Sequence, residues 1–350
     1  MSFTKSLFIT LIFSLTACNM TSTTPTPIIN QTETPLPIDS QQINRKLGRG
    51  VNLGNALEAP SEGEWGVILQ EEYIDLIADQ GFDSVRIPIR WSAHAELNEP
   101  YKIDPAFFER VDWAVENALR RNLAVVINFH HYEEIFSDPA GHEERFLALW
   151  SQVAEHYQDS PQELVFEILN EPHDALSPNR WNNLLLKTLQ VIRVTNPDRV
   201  VIIGPPEWNA IRSLNRLKLP EEDQNLIVTV HYYLPFEFTH QGAEWVDGSN
   251  AWLGETWSGT SNQRSFVRAD LNNAYQWGQK NNRPIYLGEF GAYSKADMDS
   301  RASWTEFVAS TAEEYDFSWA YWEFCAGFGI YNPEAKTWNQ PLVQALLPDS

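Results

Sequence analysis

Eight short apolar runs recur along the chain between longer amphipathic stretches, and most of them stop at a polar or aromatic side chain. The runs are 49–53, 83–88, 124–129, 164–169, 200–204, 226–230, 285–288 and 318–322. They are nearly continuous in hydrophobicity rather than alternating, the pattern of strands buried on both faces. Helical spacing fills the gaps. It is visible at 67–78, in Phe108, Val111, Val115 and Leu119, and in Phe146, Leu149, Trp150, Val153 and Tyr157. Ser177-Pro178 opens a further helix that carries Trp181, Leu184, Leu185, Leu189 and Ile192. Residues 263–280 and 295–315 predict the last two helices. Eight strand-then-helix units predict a single α/β domain over 41–350, a closed parallel (β/α)8 or TIM barrel. An open doubly wound sheet would gather its ligand groups at one switch point, commonly beside a glycine-rich first turn. Here polar groups follow at least seven strands and no phosphate loop occurs, so the barrel is the better reading.

The first forty residues follow a different rule. Lys5 precedes the apolar run Leu7–Leu15, which is too short to span a bilayer, and Leu15-Thr16-Ala17-Cys18 follows. That tetrapeptide resembles the lipobox of bacterial lipoproteins, with Cys18 as the lipidated first residue after a signal peptide at 1–17. The alternative is an ordinary secretory signal with an incidental cysteine. By the same resemblance Asn19, where an Asp would retain the protein, implies outer-membrane sorting in a Gram-negative host. Residues 18–40 are rich in Thr and Pro and read as a disordered tether. The expectation is an exported protein, lipid-anchored to the cell envelope at the outer membrane or cell surface. Cys325 is the one other cysteine; it reads as a packed thiol, and no disulfide is available.

Composition narrows the partners. A formal charge of −22 excludes nucleic-acid and anionic membrane-surface binding, which need clustered Lys and Arg. The only expected membrane contact is the lipid anchor, and a monomer is expected. Fourteen tryptophans are many for 350 residues, and flat aromatic faces suit the C–H side of a sugar ring.

The chemistry gathers at the strand ends. Leu164–Leu169 stops at Asn170-Glu171-Pro172, because Pro172 cannot donate to a ladder and biases Glu171 away from the helical region. A second carboxyl, Glu289, follows another apolar strand between Gly288 and Gly291. In a parallel barrel such tips face the active site, and two carboxyls are what glycosidic hydrolysis requires. Asn170 suits a hydrogen bond to a sugar 2-hydroxyl, with an Asx-type turn as the alternative. Arg86 alternates with Val85 and Ile87, so it points into the barrel and must meet carboxylates there. His130-His131 invites a metal reading, but neighbouring strand residues point to opposite faces and no helical HExxH or third ligand is present. No metal and no cofactor are expected. Sugar contacts are the expected role of this pair, with core packing of one histidine as an alternative.

The stretches GVNLGNALEAP, VRIPIRW, NFHHYEE, ILNEPH, VHYY, LGEFG and AYWEF, in that order from about Leu47 to the C-terminus, together resemble glycoside hydrolase family 5, the cellulase and mannanase family. The resemblance is to its bacterial endoglucanases, some of which also cut mannans. It implies Glu171 as acid/base and Glu289 as nucleophile of a retaining mechanism, with Arg86, Asn170, His231 and Tyr233 in support. On that reading Tyr233 and Arg86 hold Glu289 ionised, and the neighbouring negative charge keeps Glu171 protonated. It further implies Trp322 as the sugar platform at the cleavage point, with a cis peptide after it. Asn55, Glu58, His130, His131, Trp208, His240, Trp245 and Glu323 are the other implied substrate contacts. For Trp245 the alternative is a loop anchor in the barrel rim.

The function expected is a retaining endo-β-1,4-glucanase on cellulose-like, mixed-linkage or glucomannan chains. A β-mannanase or xyloglucanase on the same frame, and a polysaccharide-binding surface lipoprotein without turnover, are the alternatives.

Overall fold

The computed structural model describes residues 1–3 and 39–348. The rest of the expected signal segment, Cys18 and nearly all of the tether lie outside them. Within the described residues the elements run α1 (Ser40–Leu47), β1 (Arg49–Asn52), α2 (Glu71–Gln80), β2 (Ser84–Ile87), α3 (Pro105–Arg120), β3 (Ala124–Asn128), α4 (Glu133–Ser137), α5 (Pro139–His156) and β4 (Leu164–Glu167). Then follow α6 (Pro178–Thr195), β5 (Val201–Ile203), β6 (Leu226–Tyr232), α7 (Phe236–Thr239), α8 (Ser261–Asn281), β7 (Ile285–Phe290), α9 (Met298–Glu314), β8 (Ser318–Tyr321) and, last, α10 (Gln340–Leu346). Strands β1 to β8 pair in sequence order, all parallel, and β8 closes on β1. The expected barrel is present.

Each strand alternates between two apolar populations. Val85, Ile87, Val125, Ile127 and Phe166 face the helices and join the large core there. Val126, Val165, Ile202, Ile227, Tyr286 and Ala320 meet one another inside the barrel. The sequence reading placed residues up to 40 in the tether and missed α1, whose eight residues hold only two large apolar positions. Asp39 accepts from the Gln42 N–H and caps it, and Ile43 and Leu47, four apart on one face, join the interior cluster. Helix α1 therefore belongs to the domain.

Above that apolar layer the barrel interior turns polar, with Asn52, Arg86, Asn128, Glu167, Thr229 and Glu289 all buried. One irregularity decides what faces this layer. The β6–β7 register shifts so that Val230 pairs with Leu287 but His231 pairs with Glu289, which leaves Gly288 as a bulge. Strict alternation from the inward Tyr286 would send Glu289 toward the helices; the extra residue turns it inward. Only glycine fits there, since a Cβ on Gly288 would fall 2.5 Å from Thr229 Oγ1.

Candidate active site

Arg86 is the hub. Its Nε and Nη2 donate to the two oxygens of Glu167 at 2.6 and 2.8 Å, its Nη1 to Asn52 and Glu289 at 2.8 Å each, and its Nη2 also to Asn170 Oδ1 at 2.8 Å. All five donor positions of a fully buried guanidinium are thereby engaged. Burial alone would lower its pKa, but Glu167 foremost and then Glu289 reverse this and raise it, so the cation is permanent. Glu167 escaped the sequence reading. Its signal was a carboxylate in phase with Val165 inside VFEIL, a position that faces the barrel interior.

Glu289 receives Arg86 on Oε1 and the Tyr233 hydroxyl on Oε2 at 2.9 Å. Glu171 sits opposite at φ 47, in the left-handed region, just past the end of β4. The His231 Nδ1 lies 2.7 Å from Glu171 Oε1 and 3.5 Å from Glu289 Oε2. One oxygen of each glutamate and a nitrogen of His231 lie within 4.8 Å of one another. A metal could use that spacing, yet Arg86 already supplies positive charge to Glu289 and Tyr233 takes its other oxygen.

Both carboxyl pKa values lie above the ordinary range, and burial is the largest cause for each. Glu171 is pushed to about 7. Desolvation is the largest cause for Glu171, with the charge of Glu167 adding to it, and the repulsion between Glu171 and Glu289 raises the Glu289 value as well. For Glu289, His231, Arg86 and the Tyr233 hydroxyl act against the rise. Of the pair, Glu289 is the one with a bonded cation, so it is the member that ionises first.

These groups open into one cleft of about 1470 Å³. Asn170 lines it; because Arg86 holds its Oδ1, its amide N–H groups are the side left to face a ligand. His130 and His131 were expected on opposite faces, but both line the cleft. The strand ends at Asn128 and His131 turns left-handed at φ 48, so alternation no longer applies. His130 lies 5.9 Å from Trp322 at 15°, and the peptide after Trp322 is cis, as the resemblance implied. Trp208, His240, Trp245 and Asn55 also line the cleft. Trp245 is 60 % exposed and edge-on to Tyr293, so it is not tucked into the rim. Trp208, 46 % exposed, is stacked on His173.

The two remaining carboxyls differ from expectation. Glu58 lines the cleft, but its oxygens accept the backbone N–H groups of Asn55 and Ala56, and burial raises its pKa to about 8. Glu323 does not line the cleft: it is fully buried and accepts N–H bonds from Cys325, Ala326 and Phe328 at 2.7 to 3.0 Å. Its carboxyl folds the turn after β8 instead of facing a ligand. Cys325 is a thiol pushed up to about 12 by burial, consistent with a packed role. Trp65 was missed; it lines the cleft edge-on to His131 at 5.3 Å. A lone tryptophan between Gly63 and Gly66 was its signal.

A family profile described as Cellulase (glycosyl hydrolase family 5) matches residues 48–327. Endoglucanase H of Acetivibrio thermocellus is 37 % identical over 93 % of this chain, which spans 36 % of that longer protein. Endoglucanase Cel5A of Thermotoga maritima is 55 % identical, with a TM-score of 0.87 over 89 % of this chain and 100 % of that one. Structures of that enzyme with cellobiose and with mannotriose superpose equally well, each at 54 % identity over 88 % of this chain and 100 % of the other. A cellulose synthase subunit Z from Clostridioides difficile matches at 41 % identity and a TM-score of 0.83, over 86 % of this chain and 99 % of that one.

Proposed function

The chain belongs to the cellulase family, glycosyl hydrolase family 5, and we propose that it is a retaining endo-β-1,4-glucanase that also accepts β-1,4-mannan backbones. One observation carries the mechanism: an oxygen of the half-buried Glu171 and an oxygen of the buried Glu289 lie within 4.8 Å of each other, and only Glu289 is paired with a cation. Retaining enzymes place their carboxyls about 5–5.5 Å apart, while inverting ones need about 6.5–9.5 Å to admit a water between. Glu289, held ionised by Arg86 and Tyr233, attacks the anomeric carbon. Glu171 gives its proton to the departing glycosidic oxygen. In the covalent intermediate the Glu289 charge is gone; Glu171 then takes a proton from water, which attacks the same carbon and releases sugar with its original configuration. Asn170 offers its N–H to the 2-hydroxyl, and Trp322 lies under the reacting ring. The exposed faces of Trp208 and Trp245 support neighbouring sugar units. Titration of reducing ends released from carboxymethyl cellulose, mixed-linkage glucan and mannan tests the activity. Absence of release on all three refutes it, and NMR detection of an inverted anomeric product refutes the nucleophile.

The pH profile follows from the two carboxyls. In the free enzyme Glu171 must hold its proton, so kcat/KM declines as pH rises through about 7. Glu289 must have lost its own, so kcat/KM declines again on the acid side, from a pH above the usual carboxyl range. Glu171→Gln removes the alkaline limb and leaves the acid limb. A variant that keeps both limbs would take the acid role away from Glu171.

A second part of the proposal concerns location: export, with lipidation at Cys18 tying the domain to the envelope. The motif at 15–18 supports it. Radiolabelled palmitate is incorporated by the full chain and not by Cys18→Ser; equal labelling of both refutes the anchor.

A further inference from the structure

His231 stands between the two carboxyls, and its two ring nitrogens meet different partners. Nδ1 faces Glu171 Oε1 and Glu289 Oε2. Nε2 lies 3.2 Å from the side-chain nitrogen of Asn209. Burial lowers the ring's pKa to about 4, so near neutrality it carries one proton. A bare Nδ1 would set its lone pair against the ionised Glu289, whereas an Nδ1–H donates to either glutamate, so the proton belongs on Nδ1. Nε2 must then accept, and the Asn209 amide N–H is positioned to supply that bond.

Three independent features show how specifically this amide is installed. Asn209 is fully buried, and the His231 ring nitrogen is the hydrogen-bond partner of its side chain. A Cβ on Gly204 would fall 1.9 Å from Asn209 Oδ1, so the end of β5 is kept bare to seat the side chain. Glu207, Trp208 and Asn209 are all left-handed, at φ 64, 60 and 52, a run that side chains rarely adopt and that surrounding structure must impose. The same turn lets the Asn209 carbonyl accept the His231 backbone N–H at 3.1 Å.

We propose that Asn209 is a positioning residue for the acid/base: it pins His231 as the Nδ1–H tautomer, so that the ring donates to Glu171 and cannot accept its proton. The proposal rests on the reading of Glu171 as acid/base. If the ring flipped to the Nε2–H form, Nδ1 would accept the Glu171 O–H and hold back the proton that the leaving oxygen needs. The charged groups around His231 are Glu167 and Glu171 from β4 and its tip, Glu289 from β7 and Arg86 from β2. Asn209 adds no charge to this set, so its effect is on where the proton sits.

The test uses Asn209→Gly, which tolerates the left-handed backbone and removes the whole side chain, the amide with it. With cello-oligosaccharides, whose leaving group needs a proton, kcat/KM falls about tenfold. With a dinitrophenyl cellobioside, whose leaving group needs none, it changes less than about twofold. The alkaline limb of the oligosaccharide profile moves to higher pH, because the lost Nδ1–H donor had favoured the ionised Glu171. An equal loss on both substrates, or no loss on either, overturns the proposal. Ring nitrogen-15 NMR of the wild type, with the signal assigned through His231→Gln, reads the tautomer without any turnover. A protonated Nδ1 and bare Nε2, redistributed in Asn209→Gly, support the proposal; a protonated Nε2 in the wild type overturns it. A wild type that hydrolyses nothing refutes the glucanase reading, and the NMR outcome still decides the role of Asn209.

Discussion

Replacing Glu289 by alanine lowers kcat on β-1,4-glucan by on the order of 10⁴-fold or more, because the covalent intermediate can no longer form. The fold tolerates the change. Arg86 keeps its two-point pairing with Glu167 and its bonds to Asn52 and Asn170, so the far-ultraviolet circular dichroism is unaltered. The variant also makes a constructive test. Azide fits the space left by the carboxylate and attacks the anomeric carbon from that side, while Glu171 still protonates the leaving oxygen. The product is a glycosyl azide of inverted configuration, formed at a rate that rises with azide concentration. If Glu289→Ala retains wild-type turnover, the nucleophile lies elsewhere and the mechanism fails. If azide instead rescues Glu171→Ala with inversion, the two roles are exchanged.

The second large effect is on stability. Arg86→Leu leaves Glu167 and Glu289 buried without their cation, and removing one partner of such a pair costs about 3–5 kcal/mol. Urea unfolding followed by tryptophan fluorescence measures it as a lower midpoint with unchanged slope. The sign with pH also follows. Arg86 lowers the Glu289 pKa, so without it the folded state takes up protons that the wild type does not. The deficit is therefore largest where Glu289 must be charged and shrinks as pH falls through its raised value. A deficit independent of pH would mean that lost packing, not unpaired charge, is responsible. Arg86→Lys recovers little, because one ammonium cannot serve Glu167 at two points while also reaching Asn52, Asn170 and Glu289.

The two glutamates were legible because local chemistry marks each. Pro172 ends the strand before Glu171, and Gly288 and Gly291 bracket Glu289. Arg86 was legible through its phase against Val85 and Ile87. Glu167 obeys the same phase rule, but it lies within the strand, where neither a proline nor a glycine marks it. Helix α1 was invisible for a different reason: two apolar residues in eight make a weak periodic signal, and its place comes from the open barrel end that Ile43 and Leu47 fill. His130 and His131 were assigned to opposite faces by a rule that holds inside a strand and lapses at its end.

The periodic order of strands and helices, and the kind of group at each strand tip, are properties of neighbouring residues, so the chain alone determined the barrel and the two carboxyls proposed as its catalytic pair. Which groups meet is set by elements far apart in the chain, and only the folded structure decided it. The bulge at Gly288 turns Glu289 inward, and a turn of backbone N–H groups takes up Glu323. The left-handed run before β6 brings Asn209 to His231. Charge state belongs to the same class, because desolvation and pairing depend on enclosure: burial, not the carboxyl itself, lifts Glu171 to about 7.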